Sequence, residues 1–413
     1  MRRVLAAVLA VGAALALAGS ALTSADATHG IAARQASHRH ALRLRARSAR
    51  WVGPLPSDLV RAETSFNELQ KYMATTDGSD LYKERYPVEP IDLRYSYEWP
   101  FSQVHAGILD LAGLPGRVGA SYDTALADAD IGQMHYWADI APGGRAGFEA
   151  TVNPPYGPGG ELYYDDNDWV GLEAAQAYTQ TGNPQDLQLA EQMFSLAASA
   201  WDRNSSQTHA GGVFWNQPRT NGERNTISTM PAAELGLLIY QATNQTRYLT
   251  WALRMYEWTK SNLQSPSGLY YDKVLGDGTV DHMIWSYNQG VATRVNLLLF
   301  DVTHDAKYLA EAERIGSAAY KYFFVERHLE IQPVSYDAIF VKDMLVLGAA
   351  TAKTRYREAV QGYADWLWRD CRLATTGMFH YPLNPRTDVL DQGAVIQVYA
   401  TLAWPRDQLR ELS

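Results

Sequence analysis

Helical hairpins are the recurrent pattern in this sequence. Four times, a run of apolar residues at helical spacing ends in a short polar turn, and a second helical run follows. In one of them Leu237 and Tyr240 precede the turn and Leu249 and Ala252 follow it, at the 3.6-residue spacing that places apolar side chains on one face of a helix. The four repeats lie at residues 171–190, 242–252, 302–312 and 349–359. Each predicts two antiparallel helices joined by a tight turn.

The same pattern, extended in both directions, predicts twelve helices. We place them at residues 57–76, 100–113, 120–137, 166–180, 184–203, 228–243, 246–262, 287–302, 305–323, 336–351, 353–370 and 391–403. Six hairpins close into an (α/α)6 barrel, an all-α fold in which the first helix packs beside the last. A helical solenoid is the alternative, but its hairpin connections are usually shorter and more uniform. Strands are expected only as short pairs around residues 269–271 and 379–381.

Long loops precede the first helix of each predicted hairpin, so they gather at one end of the barrel and surround a cleft. The starts of the inner helices then face this cleft. Amides, hydroxyls, carboxylates and large rings are concentrated there, as expected where ring faces stack on sugars and polar groups bind their hydroxyls. The predicted substrate-binding residues come from these helix starts, except Asp272, which lies in a loop. They are Trp99, Gln103, Tyr164, Asn167, Trp169, Asn225, Asp272, Trp285, Tyr287, Asn288, Gln289 and Tyr336.

The strongest candidate for chemistry is the pair Asp165-Asp166. Glycosidic cleavage needs two carboxyls, one to protonate the departing oxygen and one to attack or stabilise the anomeric carbon. Neighbouring residues at a helix start keep their carboxyls within roughly 5–7 Å, which favours the retaining mechanism over the wider inverting arrangement. Repulsion between them raises one pKa, as a general acid requires. Aspartates at a helix start also act as caps, but the neighbouring Tyr164, Asn167 and Trp169 favour the catalytic interpretation.

Three segments resemble glycoside hydrolase family 76. They are Tyr164-Asp165-Asp166-Asn167 followed by Trp169, Gly-Leu-Tyr-Tyr-Asp at 268–272, and Trp-Ser-Tyr-Asn-Gln-Gly at 285–290. That family comprises α-1,6-mannanases built on an (α/α)6 barrel, and the resemblance covers about residues 58–405. It implies Asp165 as the nucleophile and Asp166 as the general acid/base of a retaining mechanism. It also implies sugar contacts from Trp99, Asn225, Asp272, Tyr287 and Asn288.

Composition excludes several other classes of protein. The 413 residues are 46% hydrophobic and 20% charged, which is typical of a globular chain. A net charge of −9 argues against nucleic acid as a partner. The single cysteine, Cys371, excludes an internal disulfide framework and a multi-thiolate metal site. Trp and Tyr, at 12 and 25 residues, outnumber the 10 Phe, which favours rings that carry a polar group.

The N-terminal residues have the features of an export signal. Met1-Arg2-Arg3 is basic, an apolar run follows, and Ala25-Asp26-Ala27 fits a cleavage site with small residues. The apolar run is too short for a membrane span. Six Arg and three His without an acidic residue follow at 28–56. We therefore predict a signal peptide at 1–27, a basic flexible linker at 28–56 and a glycoside hydrolase domain at 57–413, secreted as a monomer.

The sequence thus predicts a secreted retaining glycosidase that cleaves α-1,6-mannosidic linkages in mannan or another mannose-containing glycan. No cofactor, metal ion or nucleic acid is expected, since the ten His show no metal-ligand spacing. Two alternatives use the same cleft: a glycan-binding protein without catalytic activity, and a transglycosylase. A different enzyme on this barrel, such as an unsaturated-uronide hydrolase or a sugar epimerase, would carry isolated carboxylates or histidines on separate helices.

Overall fold

The chain forms a barrel of helices with short strands at one end. The computed structural model describes residues 55–217, 221–380 and 386–412. Its helices are α1 (Asp58–Tyr72), α2 (Glu98–Ala112), α3 (Arg117–Ala120), α4 (Asp123–Gln133), α5 (Tyr164–Thr181), α6 (Pro184–Ser199), α7 (Thr226–Thr243), α8 (Thr246–Leu263), α9 (Ser286–Thr303), α10 (Ala306–Ala319), α11 (Val334–Ala350), α12 (Arg355–Trp366) and α13 (Val389–Ala403). Wider π-helical turns extend α10 through Tyr320–Val325 and α12 through Leu367–Cys371.

Six of these helices form a closed inner ring. In ring order they are α2, α5, α7, α9, α11 and α13, and α13 packs against α2 to complete the circle. Helices α4, α6, α8, α10 and α12 pack outside their partners, and α1 packs against α13. This arrangement confirms the predicted (α/α)6 barrel, including the first helix beside the last.

Burial distinguishes the two rings. An inner helix such as α7 is buried on nearly every side along its first three turns, whereas α8 buries only one stripe of residues. Helices α2 and α13 approach especially closely. A Cβ atom on Gly107 would lie 3.1 Å from the Ile396 side chain, and one on Gly393 would lie 2.9 Å from the backbone nitrogen of Val104. Glycine at both positions allows this contact where the ring closes.

The two ends of the barrel differ in their connections. At one end, hairpins turn through a single residue of left-handed conformation at the helix C-terminus, as Gly182, Asn244 and His304 do. At the other end, long loops carry short antiparallel strands: β1 (Arg85–Tyr86), β2 (Trp137–Ala141), β3 (Arg145–Phe148), β4 (Leu162–Tyr163), β5 (Asn216–Gln217), β6 (Arg224–Asn225), β7 (Lys273–Val274), β8 (Val280–Asp281) and β9 (Thr387–Asp388). The pairs are β1–β9, β2–β3, β4–β5 and β6–β7–β8. All long loops lie at one end, as predicted.

The sequence placed the helices correctly but not all of their ends. The inner helices begin one or two residues earlier than predicted, so α5 starts at Tyr164 instead of residue 166. The predicted helix 120–137 was wrong at its end: α4 stops at Gln133, and the unpredicted hairpin β2–β3 begins at Trp137. Tyr270 and Phe379 each form a single β-bridge. The predicted signal peptide, nearly all of the linker and Tyr381 lie outside the described residues.

In the described part of the chain, no helix has the length and apolar character that crossing a bilayer requires.

Candidate active site

The paired aspartates lie in the first turn of α5. Strand β4 leads into this turn and pairs with β5, with Tyr163 opposite Asn216. The backbone amide of Tyr164 donates a hydrogen bond of 2.9 Å to the carbonyl of Trp215. Pairing with β5 and with Trp215, the residue before it, therefore fixes the start of α5. Both carboxyls are thereby held at the loop end of the barrel.

Asp165 has one directional contact from a neighbouring loop. The indole nitrogen of Trp215 donates to its Oδ2 at 3.2 Å, while Oδ1 is buried without a hydrogen-bond partner among the described residues. Burial raises the pKa of Asp165 to about 7, and the Trp215 hydrogen bond opposes that rise because it stabilises the carboxylate.

Asp166 lies in a different environment. Burial raises its pKa well above the ordinary value, and the adjacent Asp165 charge raises it further. No hydrogen bond to its carboxyl forms within the described residues, whereas Asp165 has the Trp215 donor. Of the two acids, Asp165 is therefore the one whose ionised form the protein stabilises, and Asp166 is the one that keeps a proton.

Two further acids belong to this cluster and were missed by the sequence analysis. Glu98, the first residue of α2, is completely buried and accepts a 2.6 Å hydrogen bond from Gln133. Asp168 is also completely buried, one turn below Asp165, and burial raises its pKa well above the ordinary value. A single acid at a helix start is most simply interpreted as a partner of the helix dipole, so the sequence alone gave no separate signal for Glu98.

Asp272 faces the same cleft from the loop before β7. It is buried, which raises its pKa to about 6, and Lys273 opposes that rise. Burial raises the pKa of the Tyr287 and Tyr336 hydroxyls, and the nearby charges of Asp272 and Asp165 raise it further. The structure therefore brings together carboxyls from α5 and this loop with aromatic residues from α9 and α11, as the sequence predicted.

Aromatic rings from three helices meet beside the acids. Tyr287 and Tyr336 stack with their centroids 3.9 Å apart and their planes within 15°. The rings of Trp99 and Trp285 both pack against the ring of Tyr336, with centroid distances of 5.9 and 5.5 Å. A cluster of this kind offers broad apolar faces next to polar edges, which suits binding to a sugar ring.

Two predicted amides lie in the same part of the barrel. Asn225 lies just before α7 and is buried, and its Oδ1 has no hydrogen-bond partner in the described part of the chain. Asn288 in the first turn of α9 is completely buried, and neither atom of its amide has a partner among the described residues.

Two other predicted contacts are structural residues. Asn167 accepts from the amide of Phe148 at 2.8 Å and donates to its carbonyl at 2.9 Å and to that of Tyr163 at 2.8 Å. Gln289 does the same to Tyr270, at 2.7 and 2.9 Å. Their amides are engaged with the backbone, so the substrate-binding prediction was wrong for both. Each is the fourth residue of an inner helix, where it ties that helix to an extended loop.

Three more predicted residues contact other parts of the barrel. Gln103 and Trp169 line a small cavity inside the barrel, about 30 Å³ in volume, together with Glu173, Glu234 and Lys342. The hydroxyl of Tyr164 donates to Gln217 at 2.9 Å, in a pocket outside the ring. Gln103 and Trp169 thus lie deeper in the barrel than the paired aspartates, and the hydroxyl of Tyr164 is engaged with Gln217.

Among the described residues, no group of three or more His, Cys, Asp or Glu side chains is arranged to hold a metal ion.

Carboxyls grouped among aromatic rings at the open end of a helical barrel define a glycosidase-type site. Comparison with known proteins identifies the family. The chain belongs to glycosyl hydrolase family 76, whose model matches residues 88–383.

Curated relatives match a shorter stretch. The mannan endo-1,6-α-mannosidase of Candida glabrata is 29% identical over 154 residues, and that of Saccharomyces cerevisiae is 26% identical over 174 residues. These stretches span 34% and 38% of this chain and the same shares of the two relatives.

Solved structures match over a much larger part of the chain. A family 76 mannosidase from Bacteroides thetaiotaomicron aligns with a TM-score of 0.73 and 22% identity, covering 84% of this chain and 98% of that one. An inactive variant of a Salegentibacter α-1,6-mannanase, with two consecutive aspartates replaced, was solved with α-1,6-mannotetrose. It aligns with a TM-score of 0.66 and 19% identity over 84% of this chain and 99% of that one. These similarities confirm the fold.

Proposed function

We propose that this protein is a retaining endo-acting mannosidase that cleaves α-1,6 linkages in a mannan. The observation that carries the proposal is the pair Asp165 and Asp166. The two carboxyls are adjacent in the chain and lie in different environments, and among the described residues a side-chain hydrogen-bond donor is directed at Asp165 and none at Asp166. Adjacent acids of unlike protonation are what a double displacement needs.

In the first step Asp166 donates its proton to the glycosidic oxygen as the bond between that oxygen and the anomeric carbon breaks. Ionised Asp165 attacks the same carbon and forms a covalent glycosyl ester. The leaving sugar departs with the transferred proton, and Asp166 becomes a carboxylate.

In the second step Asp166 acts as a base. It takes a proton from a water molecule whose oxygen attacks the anomeric carbon, and the bond to Asp165 breaks. Both carboxyls return to their starting states, and the product keeps the configuration of the substrate because two inversions have occurred.

The relatives support α-1,6-mannan as the substrate. Two are mannan endo-1,6-α-mannosidases by name, and one structural neighbour binds α-1,6-mannotetrose when two consecutive aspartates are replaced. This chain has only one pair of consecutive aspartates, Asp165-Asp166. The Tyr287–Tyr336 stack beside it provides the apolar surface that a mannosyl ring requires.

Incubation of the purified protein with linear α-1,6-mannan tests the proposal. We expect new reducing ends and a mixture of short oligosaccharides, and no release from linear β-1,4-mannan. The variants Asp165→Asn and Asp166→Asn should each lower turnover by about 10²–10⁴-fold or more while thermal unfolding changes little. Binding without release would indicate a glycan-binding protein, and products longer than the substrate would indicate a transglycosylase.

We also propose that residues 1–27 direct secretion. N-terminal sequencing of protein recovered from the culture medium should begin at Thr28, and retention of the full chain inside the cell would contradict this.

A further inference from the structure

The register between helices α2 and α5 places Glu98 opposite Asp166. His105 lies seven residues after Glu98 on α2, and Glu173 lies seven residues after Asp166 on α5. His105 Nδ1 and Glu173 Oε2 are 2.8 Å apart. Seven residues are about two helical turns, so each pair shares one face of its helix about 10 Å apart. Because the lower pair is in direct contact, the upper pair lies at one level on the facing sides of two neighbouring helices.

Burial and one hydrogen bond hold the Glu98 carboxyl, and a backbone hydrogen bond fixes the start of the helix that carries it. Glu98 is completely buried, and its Oε1 accepts from Gln133 at 2.6 Å. The backbone nitrogen of Glu98 donates to the carbonyl of Ala150 at 3.0 Å. Its Oε2 is buried without a hydrogen-bond partner among the described residues. Gln133 is an uncharged donor, so it fixes the carboxyl without neutralising it.

No described lysine or arginine forms an ion pair with Glu98 or Asp166. Asp166 is faced by the carboxyls of Asp165 and Glu98 and by the hydroxyls of Tyr163 and Tyr336. Besides Asp165 and Asp166, Glu98 is faced by Glu173 and by the hydroxyl of Tyr136. Burial raises the pKa of Glu98 well above its ordinary value, and the Asp166 charge adds to the rise. Glu98 is buried and Asp166 is half-buried, and with no described cation between them the two acids cannot both ionise readily.

We propose that Glu98 is a positioning residue for the general acid, and that its carboxyl and that of Asp166 hold one proton between them. The inference rests on the proposed function, in which Asp166 must be protonated when it meets the glycosidic oxygen. While the pair holds that proton, Asp166 carries it for part of the time at pH values where an isolated acid would already be ionised. Glu98 itself does not contact the substrate.

The variant Glu98→Gln tests this directly. It removes the second carboxyl but keeps an oxygen that accepts from Gln133. The pKa of the alkaline limb of kcat/KM on linear α-1,6-mannan should fall by about one unit or more, so the rate above that limb falls about tenfold. At the acid end of the profile kcat/KM should stay within about threefold of the wild type.

Glu149→Gln is the matched control. Glu149 is also a buried acid at the loop end of the barrel, where it accepts from the amide of Gly160 at 3.0 Å. Its substitution should leave the alkaline limb unchanged, since it has no place in the proposed pair. Thermal unfolding of both variants checks that the barrel is intact.

A second variant addresses the same pair if Glu98→Gln does not fold. Gln133→Met removes the donor that stabilises ionised Glu98, so the shared proton moves from Asp166 to Glu98 and the alkaline limb falls as well. If the wild-type protein is active and the alkaline limb is unchanged in a folded variant, the proposed role of Glu98 is contradicted, but the proposed function is not. A wild-type protein that releases no sugar from the mannan contradicts the proposed function instead.

Discussion

The indole nitrogen of Trp215 donates a hydrogen bond of 3.2 Å to Oδ2 of Asp165. Trp215 also packs edge-on against Tyr163, with the ring centroids 4.9 Å apart. The hydrogen bond stabilises the ionised form of Asp165, and therefore opposes the rise that burial causes in the pKa of this acid.

Replacement of Trp215 by Phe keeps an aromatic ring and removes the donor. The pKa of Asp165, about 7 in the intact site, should then rise, because the carboxylate loses its stabilising partner. Less of the nucleophile is ionised at low pH, so the acid limb of kcat/KM should move to higher pH by about one unit. Trp137→Phe is the control, since the Trp137 nitrogen donates to the exposed Asp139 at 2.9 Å. If the acid limb of kcat/KM in Trp215→Phe is identical to that of the wild type, the hydrogen bond does not set the pKa of Asp165.

Asn167→Ala should destabilise the barrel and displace the first turn of α5. The amide makes three hydrogen bonds to the backbone, two buried ones to Phe148 and a partly buried one to Tyr163. Loss of such contacts costs about 2–4 kcal/mol. We expect a lower denaturation midpoint and a kcat reduced more than KM, because the acids lose their alignment.

Gln392→Ala is the matched control for that prediction. Gln392 binds the amide of Phe379 at 3.0 Å and the carbonyl of Ser65 at 2.8 Å, on another inner helix. It should lose comparable stability with a smaller effect on kcat. Equal losses of kcat in both variants would mean that Asn167 acts only through global stability.

Tyr336→Ala should weaken substrate binding. The ring stacks on Tyr287 and contacts Trp99 and Trp285, so its removal leaves a gap in the aromatic surface. We expect kcat/KM on mannan to fall by about 10–100-fold, mainly through KM. Tyr336→Phe keeps the stack and should lose less than about fivefold. Steady-state kinetics of both variants decide the point, and equal losses would assign the effect to the hydroxyl.

Acids inside the barrel should make stability depend on pH. Burial and the neighbouring Asp343 charge raise the pKa of Glu234 to about 8, from 4.5, and burial raises the pKa of Asp343 to about 7, from 3.8. The folded protein therefore retains protons that the unfolded chain releases, and its free energy of unfolding should decrease as pH rises from about 4 through 8.

Urea unfolding at several pH values measures this dependence. Asp343→Asn removes one of the two titrating acids and the charge that repels Glu234, so the decrease between pH 5 and 8 should become shallower. An equally steep decrease in the variant would place the titrating groups elsewhere.

Much of the fold could be predicted because its signal is local and repeated. Apolar residues such as Leu237 and Leu249 flank polar turns at helical spacing, and all twelve predicted helices are present. Helix starts were less accurate: at the starts of α5 and α9, the amides of Asn167 and Gln289 bind loop backbone, which the apolar pattern does not show. Those contacts join residues far apart in the sequence.

The site was predicted in part for a related reason. Asp165 and Asp166 are adjacent in the chain and lie near Tyr287 and Tyr336, so residue type and position were sufficient. Glu98 was missed because its proximity to Asp166 depends on the register between two helices. Asn167 and Gln289 were misassigned because the sequence shows that an amide is present but not which partner it binds.

The anomeric configuration of the first product tests the central claim most directly. Proton NMR of linear α-1,6-mannan hydrolysis, followed within the first minutes, should show the α-anomer of the new reducing end before mutarotation produces the β-anomer. Asp165→Asn should abolish that signal. Initial appearance of the β-anomer would contradict a covalent intermediate on Asp165 and the double displacement proposed here.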